Sequence, residues 1–212
     1  MRAFDIVLDH TTKLYLDHLI CCIDRVDNAL DSLKERTYRE ELTNAMISII
    51  DGKANELRVE FSDSRLESSL LTLREIADRK GIKSPIINAA RKIFKVTEDK
   101  RHETNIDTFI SLVQEEGIVT SILPLSIIAD VSNKQFVSFF TSLCRLMGIA
   151  DLVADANDDY KSDLISFKPS LSIYFKLIKI TISEGIKLLV MIPNKFRFLQ
   201  YCLRFLIVLA KK

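Results

Sequence analysis

Apolar residues recur along this chain at intervals of three and four, with almost no strict alternation, so the pattern predicts helices from end to end. A first helix is predicted from Phe4 to Lys34 and a second from Tyr38 to Asp51, where Gly52 suits a left-handed C-cap. A third starts at Ser62–Asp63 and ends at Gly81. Ser84-Pro85 places a capping residue before a Pro at the first helical position and opens a fourth helix to Val96. The charged stretch Thr97–Glu103 reads as loop. A fifth helix covers Asn105–Ala129, with bends at Gly117 and Pro124. Ser132-Asn133 caps a sixth, from Phe136 to Leu164, and Pro169 and Pro193 open two more at Ser170–Met191 and Asn194–Ala210. No repeat of fixed period is visible, which argues against a solenoid. The expected fold is all-α, a single helical bundle forming one domain over residues 1–212.

Two helical segments carry more aspartate than a core-facing helix needs. On the first helix, Asp17, Asp24 and Asp31 fall within about 40° of one another, with Asp27 beside them. Asp24 and Asp27 are i,i+3 neighbours, and like charges at that spacing destabilise a helix unless solvent or a cation offsets them. Ile20 lies in the same arc, so the stripe is expected to border the apolar face. On the sixth helix, Asp151, Asp155 and Asp158 share an arc of about 60° that continues N-terminally through Met147, Cys144 and Phe140. One helix face thus runs from an apolar wall to a carboxylate cluster, a gradient suited to a hydrocarbon with an anionic, metal-bound head. A helix leaving the core for water gives the same pattern, but acids at a helix C-terminus oppose its dipole. Asp155, Asn157 and Asp159 mimic the start of an EF-hand loop, yet Tyr160 stands where Gly is required and Ser166 where Glu is required, so that reading fails.

Charge is divided unevenly. Residues 1–163 hold 21 Lys and Arg against 28 Asp and Glu, and residues 164–212 hold nine against one. The basic, apolar C-terminal quarter suits an anionic partner such as a diphosphate or a membrane surface, or simply attraction between the two parts of one fold. Its helices contain no run of about 20 apolar residues, because Lys176, Lys179, Glu184, Lys187, Arg197 and Arg204 interrupt every window. The four cysteines, Cys21, Cys22, Cys144 and Cys202, read as reduced packing residues of a cytoplasmic protein. His18 near Cys21 and Cys22 supplies too few ligands for zinc. P-loop, GxGxxG and GxSxG motifs are absent, and His10 and His102 stand alone.

The stretch Leu143–Asp163 (LCRLMGIADLVADANDDYKSD) resembles the second aspartate motif of class I isoprenoid synthases, closest to the squalene/phytoene-synthase-like branch. Asp151, Asp155 and Asp158/Asp159 match that motif residue by residue. Asp24-Arg25-Val26-Asp27 stands for the DxxD-like first motif, with Asp17 or Asp31 as alternative partners, and it is not a DDxxD. Gln114-Glu115-Glu116-Gly117 sits where such proteins break a helix at the cavity. Helices that precede the first motif in the family have no counterpart before Phe4, so a truncated or divergent member is expected. The resemblance implies the isoprenoid synthase fold and Mg²⁺ held by Asp24, Asp27, Asp151, Asp155 and Asp158, with Asp17, Asp31 and Asp159 as further candidates. It also implies ionisation of a prenyl diphosphate, for prenyl transfer or terpene formation. Phe140, Cys144 and Met147 would line the hydrocarbon site, and Lys161 and Arg197 would meet the diphosphate, with Arg65 and Lys195 as lesser candidates. The competing reading is a non-catalytic helical protein whose basic C-terminal region contacts a partner or a membrane surface, as a monomer or homodimer. No nucleic-acid partner is expected.

Overall fold

A computed structural model describes residues 4–57, 63–130 and 132–195. These residues form seven helices and no strand: α1 (His10–Asp31), α2 (Arg36–Asp51), α3 (Ser64–Lys80), α4 (Lys83–Arg101), α5 (Ile106–Ile127), α6 (Lys134–Lys161) and α7 (Leu171–Met191). The expected all-helical class is therefore observed. The last expected helix, Asn194–Ala210, lies outside the described residues almost entirely.

Most boundaries follow local chemistry. Side chains of Asp63, Asn105, Asn133 and Ser170 accept hydrogen bonds from first-turn N–H groups at the starts of α3, α5, α6 and α7. Gly52 and Gly81 close α2 and α3 at φ 83° and 68°, in the left-handed region where only glycine sits without strain.

The main departures from the sequence expectation are in α1, α4 and α6. α1 starts at His10, not Phe4, because Asp9 caps it through Thr12 N at 2.7 Å. Phe4 and Ile6 are instead buried ahead of the helix, and the Phe4 ring lies 5.5 Å from Phe136 and 4.8 Å from Phe139, centroid to centroid. α4 starts at Lys83, ahead of the Ser84-Pro85 signal, and runs on to Arg101, so the stretch read as a loop is mostly helix. Burial of Val96 and Glu98 draws those last turns into the core. α6 ends at Lys161, where Asp163 turns left-handed at φ 59° and Leu164 N bonds back to Asp159 O at 2.8 Å.

Packing runs through α5, which contacts α4, α6 and α1, while α7 lies against α6 and α1 lies against α3. The α5–α6 crossing is set by glycine. A Cβ on Gly117 would stand 2.6 Å from Cys144 O and 2.9 Å from Arg145 Cα, so the two backbones touch there. Gly117, expected as a bend, is thus a close-contact point inside one continuous helix. Gly148 on α6 answers it from the other side, against Val113.

The four Arg39 and Glu98 hydrogen-bonding atoms form a buried fork, with Nε to Oε1 at 2.6 Å and Nη2 to Oε2 at 2.8 Å. Arg39 Nη1 also donates to the carbonyls of Leu33 and Lys34, at 2.8 and 2.7 Å, and so holds the α1–α2 connection against α4. α5 and α6 are long and apolar enough to cross a membrane by length and composition alone. Within the bundle α5 packs on α4, α6 and α1, and α6 packs on α5 and α7.

Candidate functional site

The C-terminal ends of α1, α4 and α6 meet at one end of the bundle. Arg101, the last residue of α4, forms an ion pair with Asp31, the last of α1, and its carbonyl accepts from Ser166 Oγ, just past α6, at 2.5 Å. Each helix C-terminus carries a partial negative charge, so this end of the fold is electronegative before any side chain is added.

Side chains deepen that field. Glu116 of α5 occupies the middle, accepting from Thr97 Oγ1 at 2.6 Å and from Lys100 Nζ at 2.5 Å. The adjacent Gly117 sets this turn of α5 directly against α6 at Cys144 and Arg145, about two turns ahead of Asp151. Around Glu116 and Lys100 stand Asp27 and Asp31 of α1 and Asp151, Asp155 and Asp159 of α6. The carboxylates of this group outnumber the cations that reach them, Lys100 and Arg101, and Arg101 also lies 3.8 Å from Glu98.

The titration of this group reflects the crowding. Burial pushes the Asp27 carboxyl above the usual range, the charges of Asp31 and Glu116 push it further, and Lys100 and Arg101 oppose them. Burial likewise raises Asp151, with Asp155 and Glu116 adding to it and Lys100 opposing. Asp159 is raised by burial and by Asp155, Asp151 and Asp31, against Lys100. Asp27 and Asp151 keep contact with solvent, yet enough protein surrounds them that lost hydration leads in each case. Asp159 feeling Asp31 places the α1 and α6 acids within electrostatic reach of each other, not on opposite sides of the bundle.

The chain matches no family model, no curated protein and no solved structure. The site is therefore read from its own residues.

The structure selects among the sequence candidates by register. On α1, Asp27 and Asp31 are exposed but lie on the side that reaches Lys100 and Arg101. Asp17 and Asp24 are exposed, and Ile20 between them is 63% exposed, so that stripe faces water and does not border the core as expected. Leu19 and Cys22 take the buried face instead. On α6, Asp151, Asp155 and Asp159, spaced by four, share one side of the helix, with Asp159 half-buried and the other two exposed. Asp158 is turned outward, where it accepts from Lys161 Nζ at 2.8 Å in an exposed i,i+3 pair. Lys161 is thereby engaged on the surface, and Arg197 lies outside the described residues.

Of the expected wall, Phe140 is half-buried and stacks on Phe136 at 5.7 Å. Cys144 is half-buried with its thiol pushed up to about 11 by burial, and Met147 is 60% exposed. A cavity of about 460 Å³ opens nearby between α2, α4 and α5, but Arg36, Asp99, His102 and Glu103 give it a polar lining, and no expected wall residue reaches it.

Among the described residues, no three His, Cys, Asp or Glu side chains converge closely enough to hold a metal ion unaided. The donors present are nonetheless hard oxygens in a negative field, the type that Mg²⁺ takes when one or two carboxylates share it with phosphate oxygens. Lys100, Arg101 and Glu116 were the residues the sequence did not single out. Lys100 and Arg101 fell in the supposed loop, and Glu116 was read only as part of a helix break.

Proposed function

We propose that the acidic end of the bundle binds a diphosphate together with Mg²⁺, as a class I isoprenoid synthase-like site acting on a prenyl diphosphate. The observation that carries this reading is the shared surroundings of the two aspartate segments, which lie more than a hundred residues apart in sequence. Asp27 and Asp151 are both raised by Glu116 and both relieved by Lys100. Carboxylates that outnumber the cations reaching them leave a surplus of negative charge that a divalent cation offsets. Bound there, Mg²⁺ supplies Lewis-acid polarisation of the diphosphate oxygens.

In this reading Asp27 and Asp31 take one side of the ion–diphosphate assembly and Asp151, Asp155 and Asp159 the other. Lys100 and Arg101 are the cations available to the diphosphate itself, each exchanging a carboxylate partner for a phosphate oxygen. Glu116 holds Lys100 in place through its second oxygen. Phe140 and Cys144 on α6 present apolar surface N-terminal to the acids, on the side where a hydrocarbon tail would lie.

The test is ligand-dependent stability. Mg²⁺ and pyrophosphate together are expected to raise the melting temperature, by mass action on the folded state. Pyrophosphate without the metal is expected to do little. Asp155→Asn and Asp159→Asn should each remove the shift, whereas Asp24→Asn should leave it. Release of pyrophosphate from geranylgeranyl diphosphate would establish turnover. No melting shift in the native protein at millimolar ligand would overturn the proposal.

A further inference from the structure

α7 is apolar on two faces, and the bundle covers only one of them. Leu177 and Leu188 are buried, and Ile173, Tyr174 and Ile180 pack beside them. A second row, Leu171, Phe175, Ile178, Ile182, Ile186 and Leu189, occupies an arc of about 80°. In that row Phe175 is 71% exposed, Ile182 58% and Ile186 59%. Such a stripe, about 27 Å long at the helical rise per residue, is longer than the scattered apolar residues a soluble surface normally shows.

Charge narrows what covers it. Lys179 lies next to the stripe along one edge, with Lys176, which is paired with Asp107, and Lys187 further round on the same side. Glu184, the single acidic residue after position 163, is mostly covered and held by Lys187 at 2.6 Å. The residues that follow α7, 196–212, repeat this chemistry, with apolar residues among Arg197, Arg204, Lys211 and Lys212 and no acid. A second copy docked face to face, or the chain's own end laid over α7, would set like charges against like. Neither supplies a negative partner for Lys179, which has no ion pair among the described residues, whereas Lys176 and Lys187 are paired with Asp107 and Glu184. An apolar stripe beside a lysine edge fits a surface with acyl chains under anionic headgroups.

We propose that the exposed face of α7 lies on an anionic lipid surface, with Phe175, Ile182 and Ile186 entering the acyl boundary and Lys179 at the headgroup level. This contact is separate from the acidic site and stands whether or not that site binds diphosphate.

The experiment uses the full chain and phosphatidylcholine vesicles with or without phosphatidylglycerol. An environment-sensitive fluorophore is placed on Ile182→Cys, with Cys21→Ser and Cys202→Ser removing the exposed thiol and the one outside the described residues. Its emission is expected to shift to the blue on phosphatidylglycerol vesicles and much less on phosphatidylcholine alone. In the unlabelled protein, Phe175→Glu with Ile186→Glu is expected to weaken vesicle co-sedimentation by about tenfold or more. Both positions are exposed, so circular dichroism should be unchanged, and Lys179→Glu should weaken only the anionic preference.

Three results overturn the proposal. One is co-sedimentation without a spectral shift at position 182, which would assign membrane contact to another part of the chain. Another is a dimer in sizing chromatography that Phe175→Glu dissociates, with no vesicle binding. The third is a label at 182 already shielded without vesicles and uncovered by deleting residues 196–212.

Discussion

At the scale of single residues, the Arg39–Glu98 fork is the most consequential contact in the fold. Burial would raise the Glu98 carboxyl, but the hydrogen bonds and charge of Arg39, with Arg101 assisting, hold it below the usual range. Both side chains are nearly inaccessible, at 5% and 2%. Removing one charge strands the other, so Glu98→Gln is expected to destabilise the protein by about 3–5 kcal/mol in urea denaturation. Replacing both, as Arg39→Met with Glu98→Leu, should recover part of that loss, because no charge is stranded, while the carbonyls of Leu33 and Lys34 lose their donor. Equal damage from the single and double variants would show that packing and the carbonyl hydrogen bonds, and not the stranded charge, set the effect. Because Arg39 also holds two carbonyls of the α1–α2 connection, Glu98→Gln should loosen the end of α1 that carries Asp27 and Asp31.

Between elements, the α5–α6 contact decides where the acids meet. Gly117 faces main chain, which cannot rotate away, and Gly148 faces chiefly the side chain of Val113, 3.1 Å from where its Cβ would be. Alanine has a better helix propensity than glycine by up to about 1 kcal/mol, which favours both substitutions. At Gly117 the clash is larger: Gly117→Ala is expected to destabilise by about 1–3 kcal/mol, the usual range for overpacking. Gly148→Ala should be closer to neutral, as Val113 adjusts by a few tenths of an ångström. Equilibrium unfolding of the two variants checks the order, and a stabilised Gly117→Ala would refute the close-contact assignment. The same substitution should lower any Mg²⁺–pyrophosphate effect, because pushing the helices apart separates Glu116 from Asp151.

For the whole molecule, carboxylates shifted in opposite directions at different places make stability depend on pH in two opposite ways. Asp27, Asp151 and Asp159 have folded pKa values above the ordinary 3.8, so the folded state holds protons there more tightly than the unfolded chain. Their contribution is fully present below 3.8 and is lost as pH rises through the raised values. Asp9, Asp51, Asp63 and Glu98 are depressed by backbone or cationic partners. Their contribution is present above their ordinary values and is lost as pH falls through the depressed ones. Lowering the pH from neutral should therefore first raise the melting temperature and then, below the normal carboxylate range, reduce it. Asp151→Asn should raise the melting temperature at neutral pH and flatten the first rise while leaving the acid-side loss. A monotonic fall from pH 7 downward in the native protein would contradict the crowded-carboxylate picture.

The sequence by itself determined the helical class and most helix ends, because caps and left-handed glycines act locally: Asn105, Asn133, Ser170, Gly52 and Gly81 needed no distant partner. It also located both aspartate segments. Their facing residues were decided only by the tertiary structure, because helix rotation follows packing against neighbours and not the charges alone. That packing brought Asp31 and Asp159, and not Asp24 and Asp158, within reach of Arg101 and Lys100. The end of α4 was hidden for the same reason, since a charged stretch looks like loop until Glu98 meets Arg39, 59 positions away. Lys100 and Glu116 became central only when Gly117 let two backbones touch, a contact between residues that nothing in their local sequence joins.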